Sequence, residues 1–133
     1  SEAASDAAAQ NVANQENSVL ALERGRGNGT GGLASVLAGL MVNRFMNESS
    51  ELGSLINGEV RRRLNARSEG VKQAGFYVLK GAQMPAVLVE AGYLTHADDE
   101  ARLNSRRYRQ RLADAIYQGL VRYAERKEKA EGG

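Results

Sequence analysis

Hydrophobic positions follow two rhythms along this chain, and the change falls between residues 70 and 75. Residues 1–23 are alanine-rich and lack glycine and proline, and Ala4, Ala8, Val12 and Val19 keep a loose helical spacing that Gln15 and Glu16 interrupt. This predicts a helix with a weak apolar face. Leu33, Val36, Leu37, Leu40, Met41 and Phe45 recur at helical steps and predict a core-facing helix. Asn47 to Ser50 offers a break or a new N-cap, with Glu51 in the first turn of the next helix. Leu52, Leu55, Ile56, Val60 and Leu64 mark that helix's apolar face, and the polar, glycine-bearing stretch from Asn65 to Gly70 predicts its stop.

The rhythm then becomes that of strands. Residues 75–79 (Gly-Phe-Tyr-Val-Leu) are rich in aromatic and β-branched side chains, and residues 80–84 make a short connection. Ala86 to Val89, closed by Glu90, is apolar on both sides of its pleat, as suits a sheet covered on both faces. Thr95 is placed to cap a following turn, with Asp98, Asp99 and Glu100 favouring a helix N-terminus. Ser105 is placed to cap a last helix carrying the stripe Tyr108, Leu112, Ile116, Leu120 and Tyr123, and residues 125–133 form a charged tail expected to fray. The expected fold class is α/β: the later part of a single twisted-sheet domain with flanking helices, two strands at about 75–79 and 86–90, and four or five helices. Two such strands are marginal by themselves. They need partners from a second copy or from a larger α/β domain, and the larger domain is the favoured reading.

Composition adds limits. At 133 residues the chain is one domain at most. A net charge of +2 is a mild bias, with basic residues scattered or paired with acids, so nucleic acid is not an expected partner. The one basic cluster, Arg61-Arg62-Arg63, reads as a solvated helix face. The absence of cysteine excludes disulfides, thiolate nucleophiles and cysteine zinc sites. No apolar run approaches the roughly 20 residues needed to span a bilayer. No signal peptide is visible, and the chain opens on Ser1 rather than Met, so an export signal is to be sought upstream.

Two stretches invite chemistry. Residues 24–32 hold five glycines in nine positions. A phosphate-cradling loop would need a preceding strand and a closing lysine with Ser/Thr, and this stretch has neither, so it reads as a loop. The second stretch is stronger. An apolar run entered through the only proline, Pro85, ends in Glu90 and then Gly92. A charge is costly at the end of a buried strand unless it has a task there, and in open α/β sheets ligands bind outside the carboxyl ends of strands. From spacing alone, Glu90 as an acid–base group and Glu90 as a turn cap or arginine partner stand about level.

Several segments together resemble the C-terminal half of a zinc-dependent N-acetylmuramoyl-L-alanine amidase catalytic domain, the type 3 amidases. Gln15-Glu16-Asn17-Ser18-Val19 is similar to that family's Glu-Asn-Ser/Ala helix, and Asn47-Glu48-Ser49-Ser50-Glu51-Leu52-Gly53 to its Asn/Asp-Glu/Gln-Ser-x-x-Leu-Ala/Gly stretch. Residues 71–79 resemble the segment preceding the catalytic strand, and residues 84–95 (Met-Pro-Ala-Val-Leu-Val-Glu-Ala-Gly-Tyr-Leu-Thr) its most specific motif. The likeness runs from about residue 1 to about 124. It implies cleavage of the amide between the lactyl group of N-acetylmuramic acid and L-alanine in peptidoglycan, by an exported protein of the periplasm or cell envelope, with an activator protein as a candidate further partner. It implies that Glu90 is the catalytic carboxylate, taking a proton from zinc-activated water and passing it to the leaving amine, and it tips the balance towards that role.

The resemblance also implies a zinc site of two histidines and a glutamate, all before the region this chain covers. His96 is the single histidine here, it stands where the family usually has asparagine, and three protein ligands are normally needed. No metal ligand is therefore assigned in this chain. Zinc is expected on ligands outside it, and the chain alone is expected to be inactive. Some activator-dependent relatives carry a helical insert that blocks the metal. Residues 16–46 lie in the corresponding region, with Glu16 and Glu23 as candidate metal-facing carboxylates, though helix packing is the favoured reading. The alternatives to a hydrolase are a non-catalytic pseudo-amidase that binds or regulates the wall, and a helical interaction protein with no use for Glu90.

Overall fold

The computed structural model describes residues 7–20, 33–65, 68, 70–79 and 81–132. Their elements are α1 (Ala7–Leu20), α2 (Leu33–Leu64), a 3-10 turn at Tyr77–Leu79, α3 (Ala97–Asn104) and α4 (Arg106–Glu131). The chain divides into two compact units, residues 1–48 with 72–86, and residues 49–71 with 87–133.

No strand occurs among the described residues, which overturns the expected α/β twisted sheet. Residues 75–79 do not form the first strand. Their backbone turns on itself instead, with the Phe76 amide donating to Ala74 O at 2.9 Å, Leu79 to Phe76 O at 3.1 Å and Ala82 to Leu79 O at 3.3 Å. Residues 86–90 belong to no helix, turn or strand ladder. The physical reason is pairing. A strand segment satisfies its peptide groups only through a neighbour, and without one the aromatic, β-branched run at 75–79 closes local turns. β-Propensity measures how well a residue suits a pleated, packed surface, so it decides little where none forms.

In the first unit α1 packs against the 3-10 turn. Ala9 and Ala13, one helical turn apart on α1, are buried. Asn17 Nδ2 donates to Gly75 O at 2.7 Å, tying α1 to the segment before the turn. Glycine-rich residues 24–32 lie outside the described residues.

The expected break at Asn47–Ser50 does not occur, and α2 runs through it. No glycine or proline stands between Met41 and Leu52, so propagation costs little per residue. The local polar groups serve the helix, with Arg44 Nε 3.2 Å from Glu48 Oε1 and Ser54 Oγ donating to Ser50 O at 2.8 Å. The expected stop is present. Asn65 takes φ 51 and donates its amide to Arg61 O at 3.1 Å, using asparagine's tolerance of the left-handed region to end the helix.

The second unit is built on the later half of α2 lying antiparallel to α4. Three pairings fix the direction: Glu51 with Arg126 (3.3 Å) and Lys127 (3.7 Å), Ile56 with Gly119, and the Arg63 carbonyl with Arg111. Leu52 and Ile56 from α2 and Leu112 and Ala115 from α4 are buried here. At Gly119 the helices meet backbone to backbone: a Cβ there would lie 2.6 Å from Ile56 Cα. The expected stripe on α4 is thus rotated towards small residues, with Leu112, Ala115 and Gly119 buried and Leu120 46% exposed. The charged stretch after residue 124 continues α4 as far as Glu131.

Candidate functional site

The segment that carries Glu90 is seated against a glycine. A Cβ at Gly53 of α2 would lie 3.2 Å from Val71 Cγ1 and 3.7 Å from Val87 Cγ1, so both valines rest on the glycine. From Val87 the chain runs out to Glu90. Val87 and Leu88 are half-buried, while Val89 is 39% exposed and Glu90 and Ala91 are exposed. The segment is therefore not covered on both faces.

A few residues after Glu90 the chain turns at Leu94–Thr95. Gly92 takes φ +143, a region L side chains rarely adopt. Asp99 lies directly against it, with a Cβ at Gly92 falling 3.2 Å from Asp99 Cβ and Cγ. The Tyr93 amide donates to Asp99 Oδ2 at 3.1 Å, and the His96 amide donates to Tyr93 O at 3.0 Å. α3 then begins at Ala97, with His96 rather than the expected Thr95 as N-cap. The His96 side chain makes no cap hydrogen bond, while its carbonyl accepts from the Glu100 amide at 2.9 Å. Asp98, Asp99 and Glu100 fill the first turn, where negative charge is favoured. Arg102 Nη1 stands 3.9 Å from Asp99 Oδ1, a partly exposed pair of small energetic weight.

The expected residues divide as follows. Glu90 is exposed, two residues before Gly92. His96 is exposed at the start of a helix. Glu16 is half-buried on α1, and Glu23 lies outside the described residues. Among the described residues no three His, Cys, Asp or Glu side chains group so as to hold a metal ion. The described residues do not by themselves furnish a zinc site. Asp99, which ties the turn after Glu90, reads in the sequence only as helix-start charge. The signal that finds it is the pairing of Gly92 with an acid in the first turn of the next helix.

A second charged cluster lies on α2 and α4. Glu59 is 2% exposed and receives Arg62 Nη2 at 2.5 Å, Arg63 Nε at 2.8 Å and Arg122 Nε at 2.8 Å. Arg62 and Arg63 are therefore partners of a buried acid, not only the solvated face expected of Arg61-Arg62-Arg63. The hydrogen bond from Arg63 holds the Glu59 carboxyl below its ordinary range; burial opposes this, and Arg62 and the charge of Arg122 add to it. Arg111 also donates to the Arg63 carbonyl. A shallow hollow lined by Arg63, Arg111 and Asp114 lies beside this cluster.

Comparison with known proteins places these features in context. The family model described as N-acetylmuramoyl-L-alanine amidase matches residues 5–122. The chain is 40% identical over 75 residues to the N-acetylmuramoyl-L-alanine amidase LytC of Bacillus subtilis, covering 56% of this chain and 15% of LytC. It is 34% identical over 91 residues to the N-acetylmuramoyl-L-alanine amidase AmiA of Escherichia coli, covering 68% of this chain and 32% of AmiA. It is 41% identical over 75 residues to the protein YqiI of Bacillus subtilis, covering 56% of this chain and 36% of YqiI. The chain thus spans about a third or less of the length of these curated relatives. No solved structure matches it.

Proposed function

The chain belongs to the N-acetylmuramoyl-L-alanine amidase family, and from that premise we propose that it forms part of a peptidoglycan hydrolase in which Glu90 is the general acid and base. The bond cleaved is the amide between the lactyl carboxyl of N-acetylmuramic acid and L-alanine. Glu90 takes a proton from the attacking water and returns it to the departing alanine nitrogen, so water is divided between a new carboxylate and a new amine. A positioned carboxylate in that role contributes roughly 10²–10⁴-fold.

The observation that carries this reading is the placing of Glu90: an exposed glutamate at the end of a segment seated on α2, three residues before Tyr93, whose amide Asp99 holds. A glutamate that only filled space would not need that presentation.

Zinc, which the resemblance implies, would polarise the scissile carbonyl and lower the pKa of bound water. This chain's described residues do not furnish its ligands, so the metal belongs on polypeptide outside them. The site of action that fits the substrate is the cell envelope, reached by export. An activator protein is a further candidate partner.

The test is product analysis. Purified muropeptides are incubated with the amidase domain that contains this chain, and the products are weighed. Fragments that together gain one water, with a free L-alanine amino terminus, support the reading. Intact muropeptides retained by a correctly folded, metal-loaded domain favour instead a pseudo-amidase that binds or regulates the wall.

A further inference from the structure

We propose that Asp99 is a positioning residue for Glu90: its carboxylate clamps the turn that aims the proposed catalytic side chain. The inference rests on the acid–base role proposed for Glu90. Three observations meet at Asp99. Its Oδ2 accepts the Tyr93 amide at 3.1 Å, three residues beyond Glu90. A Cβ at position 92 would lie 3.2 Å from its Cβ and Cγ, a tight approach to which Asp99 would have to yield, at a backbone φ of +143 that favours glycine. Its own backbone is fixed in the first turn of α3, whose start is closed by the Glu100 amide donating to His96 O.

The physical need is clear from the segment itself. Glu90, Ala91, Tyr93 and Leu94 are exposed and contribute little packing. Gly92 has many accessible conformations, and its φ of +143 is not enforced by a side chain of its own. A turn of this kind wanders unless something external fixes it. A charge-assisted hydrogen bond from the Tyr93 amide supplies that constraint. Displacing a catalytic group by about 1 Å costs on the order of 10²-fold in rate, so the clamp should appear in turnover more than in binding.

Asp99→Asn keeps an oxygen able to accept the Tyr93 amide, and Asp99→Ala removes it. In the amidase domain containing this chain, Asp99→Ala is expected to lower kcat by about 10- to 100-fold with KM within about twofold, and Asp99→Asn to recover most of that loss. In the same proteins, hydrogen exchange at the Tyr93 amide should quicken in Asp99→Ala and stay slow in Asp99→Asn, with helix content unchanged. Glu90→Gln serves as the control for the underlying reading. If Glu90→Gln abolishes turnover while Asp99→Ala leaves kcat intact, the positioning role is wrong and the catalytic reading stands. If Tyr93 exchange is unaffected by Asp99→Ala, or Asp99→Asn fares no better than Asp99→Ala, the clamp is overturned. If Glu90→Gln leaves turnover intact, the catalytic reading itself fails, whatever the exchange data show.

Discussion

At the scale of single residues, two acids behave oppositely. Glu90 is presented to solvent, while Glu59 is buried under three guanidinium groups. For Glu59 the sign of the linkage is fixed. Its folded-state pKa lies below the ordinary 4.5 because Arg63 and its neighbours favour the charged form. Its contribution to stability is therefore fully present above that ordinary value and is lost as the pH falls through the lower folded-state value. We expect the urea midpoint of the chain to fall on acidification across that window, and Glu59→Gln to begin with a lower midpoint and lose less of it. Equilibrium unfolding at a series of pH values measures both. The cluster is hidden in the sequence for a definite reason. Glu59 with Arg62 and Arg63 is an i,i+3 and i,i+4 pattern that usually stands on an exposed face, and the member that shows otherwise, Arg122, lies on α4. Glu90, by contrast, was legible as a candidate because a carboxylate closing an apolar run is unusual in any context.

At the scale of elements, legibility tracked local chemistry. The stop at Asn65 and the N-cap at Ser105, whose Oγ accepts the Tyr108 amide at 3.3 Å, are both set by the residues that form them. Removing that cap with Ser105→Ala should cost about 1 kcal/mol, read as a shift in urea midpoint. The features that were not legible depended on partners. Residues 75–79 have strand composition, but no strand lies beside them among the described residues. Asn47 to Ser50 has cap composition, but both neighbouring helical segments continue through it. The small residues of α4 show the same limit: Gly119 looks like a helix weakness in sequence and is the point where α4 meets Ile56. Gly119→Ala would normally favour a helix. Here it should destabilise by about 1–3 kcal/mol through overpacking, because the obstructing atoms include the Ile56 backbone. Thermal unfolding that shows a stabilised Gly119→Ala would contradict the close α2–α4 approach.

At the scale of the whole molecule, family membership spans residues 5–122, yet the chain matches only 15–36% of the length of the curated relatives compared. It carries a candidate acid–base carboxylate but no grouping of metal-ligating side chains among the described residues. Among those residues, too, no helix is long and apolar enough to cross a membrane. We therefore expect the 133-residue chain by itself, with zinc added, to release no L-alanine peptides from muropeptides; chromatography of the digest checks this. The most direct test of the central claim is the kcat of Glu90→Gln in the amidase domain containing this chain, measured on muropeptides with metal content and circular dichroism matched to the parent. A fall of at least about 100-fold is expected. A variant that turns over near the parental rate would show that Glu90 does not move the proton.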